Sequence, residues 1–291
     1  KNVVLSGSSG FLGTKIQEHL QQSGFIVHGF RSSKRAHGLI GNKVQNLETS
    51  LTLDEITNYL ISNDVEIAIH AATFFTKSSD AVDVPRVVDA NIAFAVKFLE
   101  ACIAAKVRRF INLNSYWQIE ELSPNQAEFT SPYAASKSAF ANYASVRSAY
   151  IPEYSDLFIT ETFGPGDTRD KLIPLIIKSQ LNNSKLALTS PEQPLLLTYS
   201  SNLTDFIRQK LASKSPLPRR VMYVNYAGVT PELVSQSVTE ILQGNLGDLS
   251  VQGETTYNLQ SLPGIQVYGL GSGLEFERAL LVTIDSLREI S

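Results

Sequence analysis

Two side chains in the segment Tyr133-Ala134-Ala135-Ser136-Lys137 can move a proton together: a phenol and an ammonium four residues apart, which a helix places on one face. An unperturbed tyrosine titrates near ~10 and is a poor proton shuttle at neutral pH. A neighbouring cation stabilises phenolate, so Lys137 would make Tyr133 a competent acid toward a carbonyl under reduction. Taken alone, Tyr-x-x-x-Lys is common on helix surfaces. Its position gives it weight, because Ser115 comes before it, just past a strand pattern at Arg109–Asn114. That is the carboxyl edge where open parallel sheets bind ligands. A serine there would hydrogen-bond the substrate oxygen and hold it against Tyr133 while hydride passes to carbon.

A second motif suits a hydride carrier. The strand pattern Val3-Val4-Leu5 runs into Ser6-Gly7-Ser8-Ser9-Gly10-Phe11-Leu12-Gly13, and a helical pattern follows. Three glycines at this spacing permit a tight turn, let the backbone approach a pyrophosphate and pack helix against strand, while the helix N-terminus supplies N–H groups. Gly7, Ser9, Gly10, Phe11, Leu12 and Gly13 are the expected dinucleotide contacts. The end of the second strand then discriminates between dinucleotides. A carboxylate there bonds the 2′-hydroxyl of NAD, and an arginine accommodates the 2′-phosphate of NADP. Phe30 is followed by Arg31-Ser32-Ser33-Lys34-Arg35, with three cations, two hydroxyls and no acid. A guanidinium and serine hydroxyls suit a phosphate dianion, so NADP(H) is expected over NAD(H), with Arg31, Ser32 and Ser33 as contacts. Lys34 and Arg35 read more readily as a solvated basic loop.

The elements that must position these groups follow from periodicity. Strand patterns fall at Asn2–Ser6, Phe25–Phe30, Val44–Leu47, Glu66–His70, Arg109–Asn114 and Asp156–Thr160. Helical patterns at Gly10–Ser23, Leu53–Asn63, Arg86–Lys106 and Pro132–Tyr150 lie between them. That alternation implies βαβ units and a doubly wound parallel α/β sheet. After Phe163 the punctuation changes to Gly164-Pro165-Gly166, Ser190-Pro191, Gln193-Pro194 and Ser215-Pro216-Leu217-Pro218. The expectation is a smaller, irregular second region, with helices at Leu172–Gln180, Leu203–Lys214, Pro231–Gln243 and Leu274–Arg288 and a strand at Val221–Val224. The dinucleotide domain is expected over 1–161, with 199–227 returning to it. The substrate region is expected over 162–198 and 228–291.

Composition bounds the remaining possibilities. A chain of 291 residues, 43% hydrophobic and 18% charged, can bury a large core without disulfides or metals. With 25 Lys+Arg against 28 Asp+Glu the net charge is −3, which leaves no global field for a polyanion, so nucleic acid is not an expected partner. The one cysteine, Cys102, sits in an apolar helical pattern, no apolar run is long enough for a membrane span, and a cytoplasmic protein with no metal is expected.

Taken in order, several segments resemble the extended short-chain dehydrogenase/reductase superfamily, specifically the epimerase/dehydratase family acting on nucleotide-activated sugars. They are the glycine turn, Ile69-His70-Ala71-Ala72, Asn91, Val107-Arg108-Arg109-Phe110 leading to Ser115, Tyr133 to Lys137, and Phe163-Gly164-Pro165-Gly166-Asp167. The resemblance covers roughly the first 170 residues. It implies a Rossmann-type sheet, Ser115, Tyr133 and Lys137 as the catalytic triad, and a cofactor lined by the stretch from His70 to Thr73, through Ala71 and Ala72. In the family Asn91 belongs to the packing beneath the active site, and Asn46-Leu47 stands where Asp-Leu often meets the adenine. The helices Arg86–Lys106 and Pro132–Tyr150 pair in the family as a dimer bundle, so a homodimer is expected.

Within the family, dehydratases carry Asp-Glu directly after the catalytic Ser or Thr, whereas Ser115 is followed by Tyr116-Trp117-Gln118. Epimerases recycle a bound NAD, and their second strand commonly ends in an acid, where Arg31 stands here. The chain resembles the CDP-abequose and CDP-paratose synthase group, which implies NADPH-dependent reduction of the C4 keto group of a CDP-linked 4-keto-3,6-dideoxyhexose. A deoxysugar of that kind enters surface polysaccharide such as O-antigen. Thr73, Phe74, Ser115, Trp117, Gln118, Glu161, Thr162, Arg169 and Lys171 are the expected substrate contacts, with Arg169 and Lys171 for the diphosphate and Phe75 beside the sugar. Glu161 takes the place where the family often has asparagine. An NAD-dependent sugar-nucleotide epimerase and a non-catalytic nucleotide sensor are the competing readings.

Overall fold

The computed structural model describes residues 1–31, 47–48, 50–76, 83–120, 131–244, 264–270 and 273–290. They form two compact units, Lys1–Phe158 with Thr204–Val221, and Ile159–Leu203 with Met222–Ser291.

The first unit starts with β1 (Asn2–Ser6), α1 (Phe11–Gln22), β2 (Ile26–Arg31), β3 (Leu47–Glu48), α2 (Leu53–Ser62) and β4 (Val65–His70). It continues with α3 (Val84–Val88), a π-helical turn at Asp89–Ala93, α4 (Phe94–Ala104), β5 (Arg109–Ser115), the short α5 (Trp117–Glu120), α6 (Pro132–Arg147) and β6 (Glu153–Ile159). β1 pairs in parallel with β2 and β4, β2 with β3, and β4 with β5. With β9 (Arg220–Tyr223), and β11 (Gln266–Tyr268) at the edge beyond it, the order across the sheet is β11-β9-β6-β5-β4-β1-β2-β3. The expected doubly wound parallel sheet is what the chain forms. Val3, Val4 and Leu5 are all fully buried, because a central parallel strand is covered on both faces.

Phe94, Phe98 and Cys102 recur every fourth residue on α4, so one stripe of that helix meets Phe30, Phe110 and Phe140 in the core. Burial pushes the Cys102 thiol well up, which leaves it a packing group rather than a nucleophile. The segment 86–106, expected as one helix, is interrupted by the π turn, at which Asn91 turns its amide to groups outside the helix. Ser115 ends β5 rather than following it. Val44, Gln45 and Asn46 of the expected third strand lie outside the described residues.

The second unit is more regular than its Gly-Pro punctuation suggests. β7 (Glu161–Phe163), β8 (Leu195–Tyr199) and β10 (Tyr226–Val229) make a three-stranded sheet in the order β10-β8-β7, with β10 antiparallel and β7 parallel to β8. α7 (Leu172–Leu181), α9 (Pro231–Leu242) and α10 (Gly273–Ile290) pack Ile173, Ile177, Val234, Phe276, Leu280 and Ile284 with Phe163 into one core. α8 (Ser200–Ala212) begins three residues before its expected start, directly from β8. In β11 (Gln266–Tyr268), the Tyr268 carbonyl accepts from the Val224 N–H. None of the strands β7, β8, β10 and β11 was expected. The Leu195-Leu196-Leu197 run has no period that separates strand from helix, and β10 carries a register shift around Gly228. Among the described residues no helix is long and apolar enough to cross a membrane.

Candidate active site

The turn between β1 and α1 is built from backbone. Gly7 takes φ of +75°, and the Gly7 and Ser8 N–H groups both donate to the Phe30 carbonyl, at 2.9 and 3.1 Å. A Cβ on Gly7 would stand 2.6 Å from the Ala72 nitrogen, and one on Gly13 would stand 2.0 Å from the Gly7 carbonyl oxygen. Strand, turn and helix therefore meet with no room for a methyl group. Gly10 is the N-cap of α1 and supplies no side-chain acceptor to the N–H groups of its first turn. At the end of β2, Arg31 is buried, and its Nε has no hydrogen-bond partner among the described residues. A buried guanidinium with an unpartnered Nε at the end of β2, and an uncapped helix start after β1, both fit the anionic groups of a nicotinamide dinucleotide. Ser32, Ser33 and Asn46 lie outside the described residues, as do Lys34 and Arg35, and Leu47 is described through its backbone pairing with Phe30.

His70 closes β4 with its ring inside the core. Its Nδ1 lies 2.7 Å from Ser6 Oγ, and the imidazole is enclosed by Phe94, Phe98, Phe110 and Phe140. Burial, and secondarily the charge of Lys137, hold it well below the usual histidine range, so the ring is neutral and structural. The backbone beyond it faces the glycine turn: Ala71 N–H donates to the Ser6 carbonyl at 3.1 Å and Ala72 N–H to Ser6 Oγ at 3.3 Å. Asn91 clamps the next residues. Its Oδ1 accepts from Thr73 Oγ1 and the Phe74 N–H, and its Nδ2 donates to the Phe74 carbonyl and to Ser136 Oγ. Its amide thus fixes this stretch of chain. The Phe74 ring lies under the Arg86 guanidinium, 4.1 Å from its centroid.

Ser115, Tyr133 and Lys137 come from β5 and α6, two elements in contact. Ser131 caps α6 by accepting from the Ala134 N–H at 3.1 Å, and Pro132 takes the first helical position, which sets where Tyr133 begins. Lys137 is buried and donates to the Leu113 carbonyl at 2.8 Å. Burial pulls its ammonium down to about 8, while the charge of Asp156 pushes it back up. Ser115 Oγ accepts from the Trp117 N–H at 3.3 Å, and the Ser115 N–H donates to the buried Gln118 amide oxygen at 2.9 Å. Gln118 thus holds the end of β5. The Tyr133 ring meets Phe75 and Trp117 edge to face, with centroids 5.1 and 6.3 Å away. This half-buried aromatic wall stands beside the phenol.

In the second unit, Arg169 grips the fully buried Asp167 through Nε and Nη2, both at 2.7 Å, and also donates to the carbonyl and Oγ1 of Thr162. Lys171 lies 3.6 Å from Glu161. Much of Arg169 is thus engaged in holding its own loop.

A buried polar cluster beneath Ser115 escaped the sequence reading. Asn112 and Asn114 point to one face of β5 and donate to Asp156 Oδ1 on β6 at 2.9 and 2.7 Å, and Tyr154 donates to the same oxygen at 2.8 Å. Two asparagines at alternate positions of an otherwise apolar strand were the available signal.

A family described as the NAD dependent epimerase/dehydratase family matches residues 3–208. The chain belongs to that family. Among curated relatives, a CDP-abequose synthase of Yersinia pseudotuberculosis is 26% identical over 206 residues, 70% of this chain and 71% of that one. Another CDP-abequose synthase, of Salmonella typhimurium, is 26% identical over 60% of this chain and 58% of its own length, so the chain spans less than two thirds of that relative. Among solved structures, MoeE5 in complex with UDP-glucose and NAD aligns over 100% of this chain and 99% of its own, with a TM-score of 0.74 and 16% identity, which establishes the shared fold. As an epimerase/dehydratase family member, the protein is an NAD(P)-dependent oxidoreductase of nucleotide-sugar type.

Proposed function

We propose that the protein reduces the C4 keto group of a CDP-linked 4-keto-3,6-dideoxyhexose, using NADPH as a consumed co-substrate. The observation that carries this is Ser115 ending β5 opposite the Tyr133 and Lys137 pair of α6, with Tyr116-Trp117-Gln118 where a dehydratase would need an acid and a base. The likeness to two CDP-abequose synthases supports the choice of sugar and nucleotide. Arg31 supports NADPH, because a buried guanidinium with an unsatisfied Nε suits a 2′-phosphate better than a ribose hydroxyl.

The nicotinamide group, when bound, supplies hydride to the C4 carbon. The residues of this chain do the rest. Gly7, Ser9, Gly10, Phe11, Leu12 and Gly13 form the pyrophosphate turn, and Arg31 holds the adenosine phosphate. The backbone from His70 to Thr73, fixed by Ser6 and Asn91, lines the cofactor. Ser115 Oγ donates a hydrogen bond to the C4 oxygen and orients it. Tyr133 gives its phenolic proton to that oxygen as negative charge develops there, and the ammonium of Lys137 stabilises the phenolate left behind. Phe75 and Trp117 present apolar edges that favour a deoxygenated sugar face over a hydroxylated one. Lys171 and Arg169 are the cations proposed for the diphosphate, with Glu161 and Thr162 beside them. A homodimer through the helical segments Arg86–Lys106 and Pro132–Tyr150, the second of which exposes Tyr143, Val146 and Tyr150, belongs to the same reading, as does a place in surface-polysaccharide synthesis in the cytoplasm.

Titration with NADPH and NADH, followed by NADPH oxidation with CDP-4-keto-3,6-dideoxyhexose and its dTDP and GDP counterparts, tests the reading. NADPH selectivity with fastest turnover on the CDP sugar is expected. Tightly bound NAD with no net oxidation would replace it with an epimerase, and absence of dinucleotide binding would replace it with a sensor.

A further inference from the structure

We propose that Asp156 is a positioning residue, a half-buried carboxylate on β6 that gathers the side chains flanking Leu113, opposes the charge of Lys137 and locks the end of β5 that carries Ser115. This rests on the proposed role of Lys137 beside Tyr133. Three donors converge on one oxygen of Asp156: Asn112 Nδ2 at 2.9 Å, Asn114 Nδ2 at 2.7 Å and the Tyr154 hydroxyl at 2.8 Å. Burial pushes the Asp156 carboxyl up from its usual range, and the Asn112 and Tyr154 donors, which suit an ionised carboxylate that only accepts, pull it back down. Asn112 also donates to the Asn114 side-chain oxygen at 3.1 Å, so both amides are fixed. Leu113, between them in sequence, offers its carbonyl to Lys137 Nζ, so the same stretch of β5 holds the ammonium and the carboxylate.

Lys137 interacts electrostatically with Asp156 from β6 and with His70 from β4, and Tyr133 is one turn away on its own helix. Asp156 interacts with Lys137, Tyr154 and Arg219, and the Arg219 guanidinium lies over the Tyr154 ring while donating to Ser148 Oγ and the Ser145 carbonyl. His70 is neutral, which leaves Asp156 as the group whose charge favours the protonated form of Lys137. Burial alone would drive Lys137 toward the neutral amine, which could not stabilise a phenolate.

The test is the titration of Lys137 itself, followed by 13C NMR of protein labelled at lysine Cε, with the resonance assigned by its loss in Lys137→Met. Asp156→Asn keeps the shape and the acceptor oxygen but removes the charge. The Lys137 midpoint should fall by about one pH unit in that variant, as expected when an opposite charge in its neighbourhood is lost. The alkaline limb of kcat should move down with it while the NADPH dissociation constant stays the same. An unchanged Lys137 midpoint overturns the inference whatever the activity. A shifted midpoint in a protein that turns over no keto sugar supports the inference and removes the functional reading instead. Should Asp156→Asn fail to fold, the double variant Lys137→Met with Asp156→Asn decides: recovery of the fold supports mutual compensation of the two charges, and continued unfolding overturns it.

Discussion

The glycine turn after β1 and the polar floor beneath Ser115 both fix a site at the carboxyl edge of the same sheet, by opposite means. The turn works by leaving side chains out: Gly7 and Gly13 bring backbone within 3 Å of where a Cβ would be, and α1 starts without a side-chain cap. The floor works by burying polar side chains: Asn112, Asn114 and Lys137 are buried, Asp156 is half-buried, and all are bonded to one another or to backbone. A backbone site tolerates no added atoms but carries no titratable group. A buried polar network accepts isosteric change but responds to charge and pH. Binding should therefore fail through sterics at the turn, and catalysis should fail through protonation at the floor.

The sharpest separation of the two comes from Tyr133→Phe. It removes the proton donor and nothing from the turn, so kcat should fall by about 10³-fold, the usual scale for a general acid. NADPH affinity, followed by fluorescence titration, should hold. A variant that retains most of its turnover would break the division of labour. Gly13→Ala makes the opposite change. Its Cβ would overlap the Gly7 carbonyl, so the turn must open, with a loss of about 1–3 kcal/mol of stability in thermal unfolding. Dinucleotide binding should fall with it, while the Lys137 titration midpoint stays at its wild-type value.

Both regions differ in how far the sequence made them legible. The turn was readable because its three glycines stand at a fixed spacing within seven residues between a strand and a helix pattern, and Tyr133 and Lys137 because a helix fixes their spacing. Asp156 was not, because it means nothing until β6 lies beside β5 and three donors from two strands meet it. The same holds for Arg169, which reads as a cation for the diphosphate and whose hold on the buried Asp167 and on Thr162 no local pattern announces. Gln118 reads as a pocket residue, and its amide oxygen also accepts from the Ser115 N–H, a contact the sequence did not announce. In the second unit, β8 and β10 pair across long intervals of chain that no local period announces. Contacts set by local spacing were thus visible, and those set by tertiary pairing were not.

Arg31→Ala sharpens the binding half of the comparison. Loss of one charge-assisted phosphate contact should weaken NADPH about tenfold. NADH should be affected little, because it has no phosphate there. Equal losses for both dinucleotides would assign Arg31 to packing of β2 and remove the steric-only description of the turn.

The smallest effect concerns stability, and it comes from the floor. Lys137 ordinarily titrates near ~10.4 in an unfolded chain. Burial brings it down to about 8 in the folded protein. Between those values the unfolded chain holds a proton that the folded chain has released, so stability rises with pH across that window. Below it both states are protonated, and the full cost of burying the ammonium is present. Lys137→Met removes the titrating group. The difference in Tm between the wild type and this variant should therefore change between about pH 8 and about pH 10 in the direction that favours the wild type, and stay level from pH 6 to 7. A flat difference across the whole range would mean that Lys137 keeps its ordinary titration when buried, and the floor would then set geometry without setting charge.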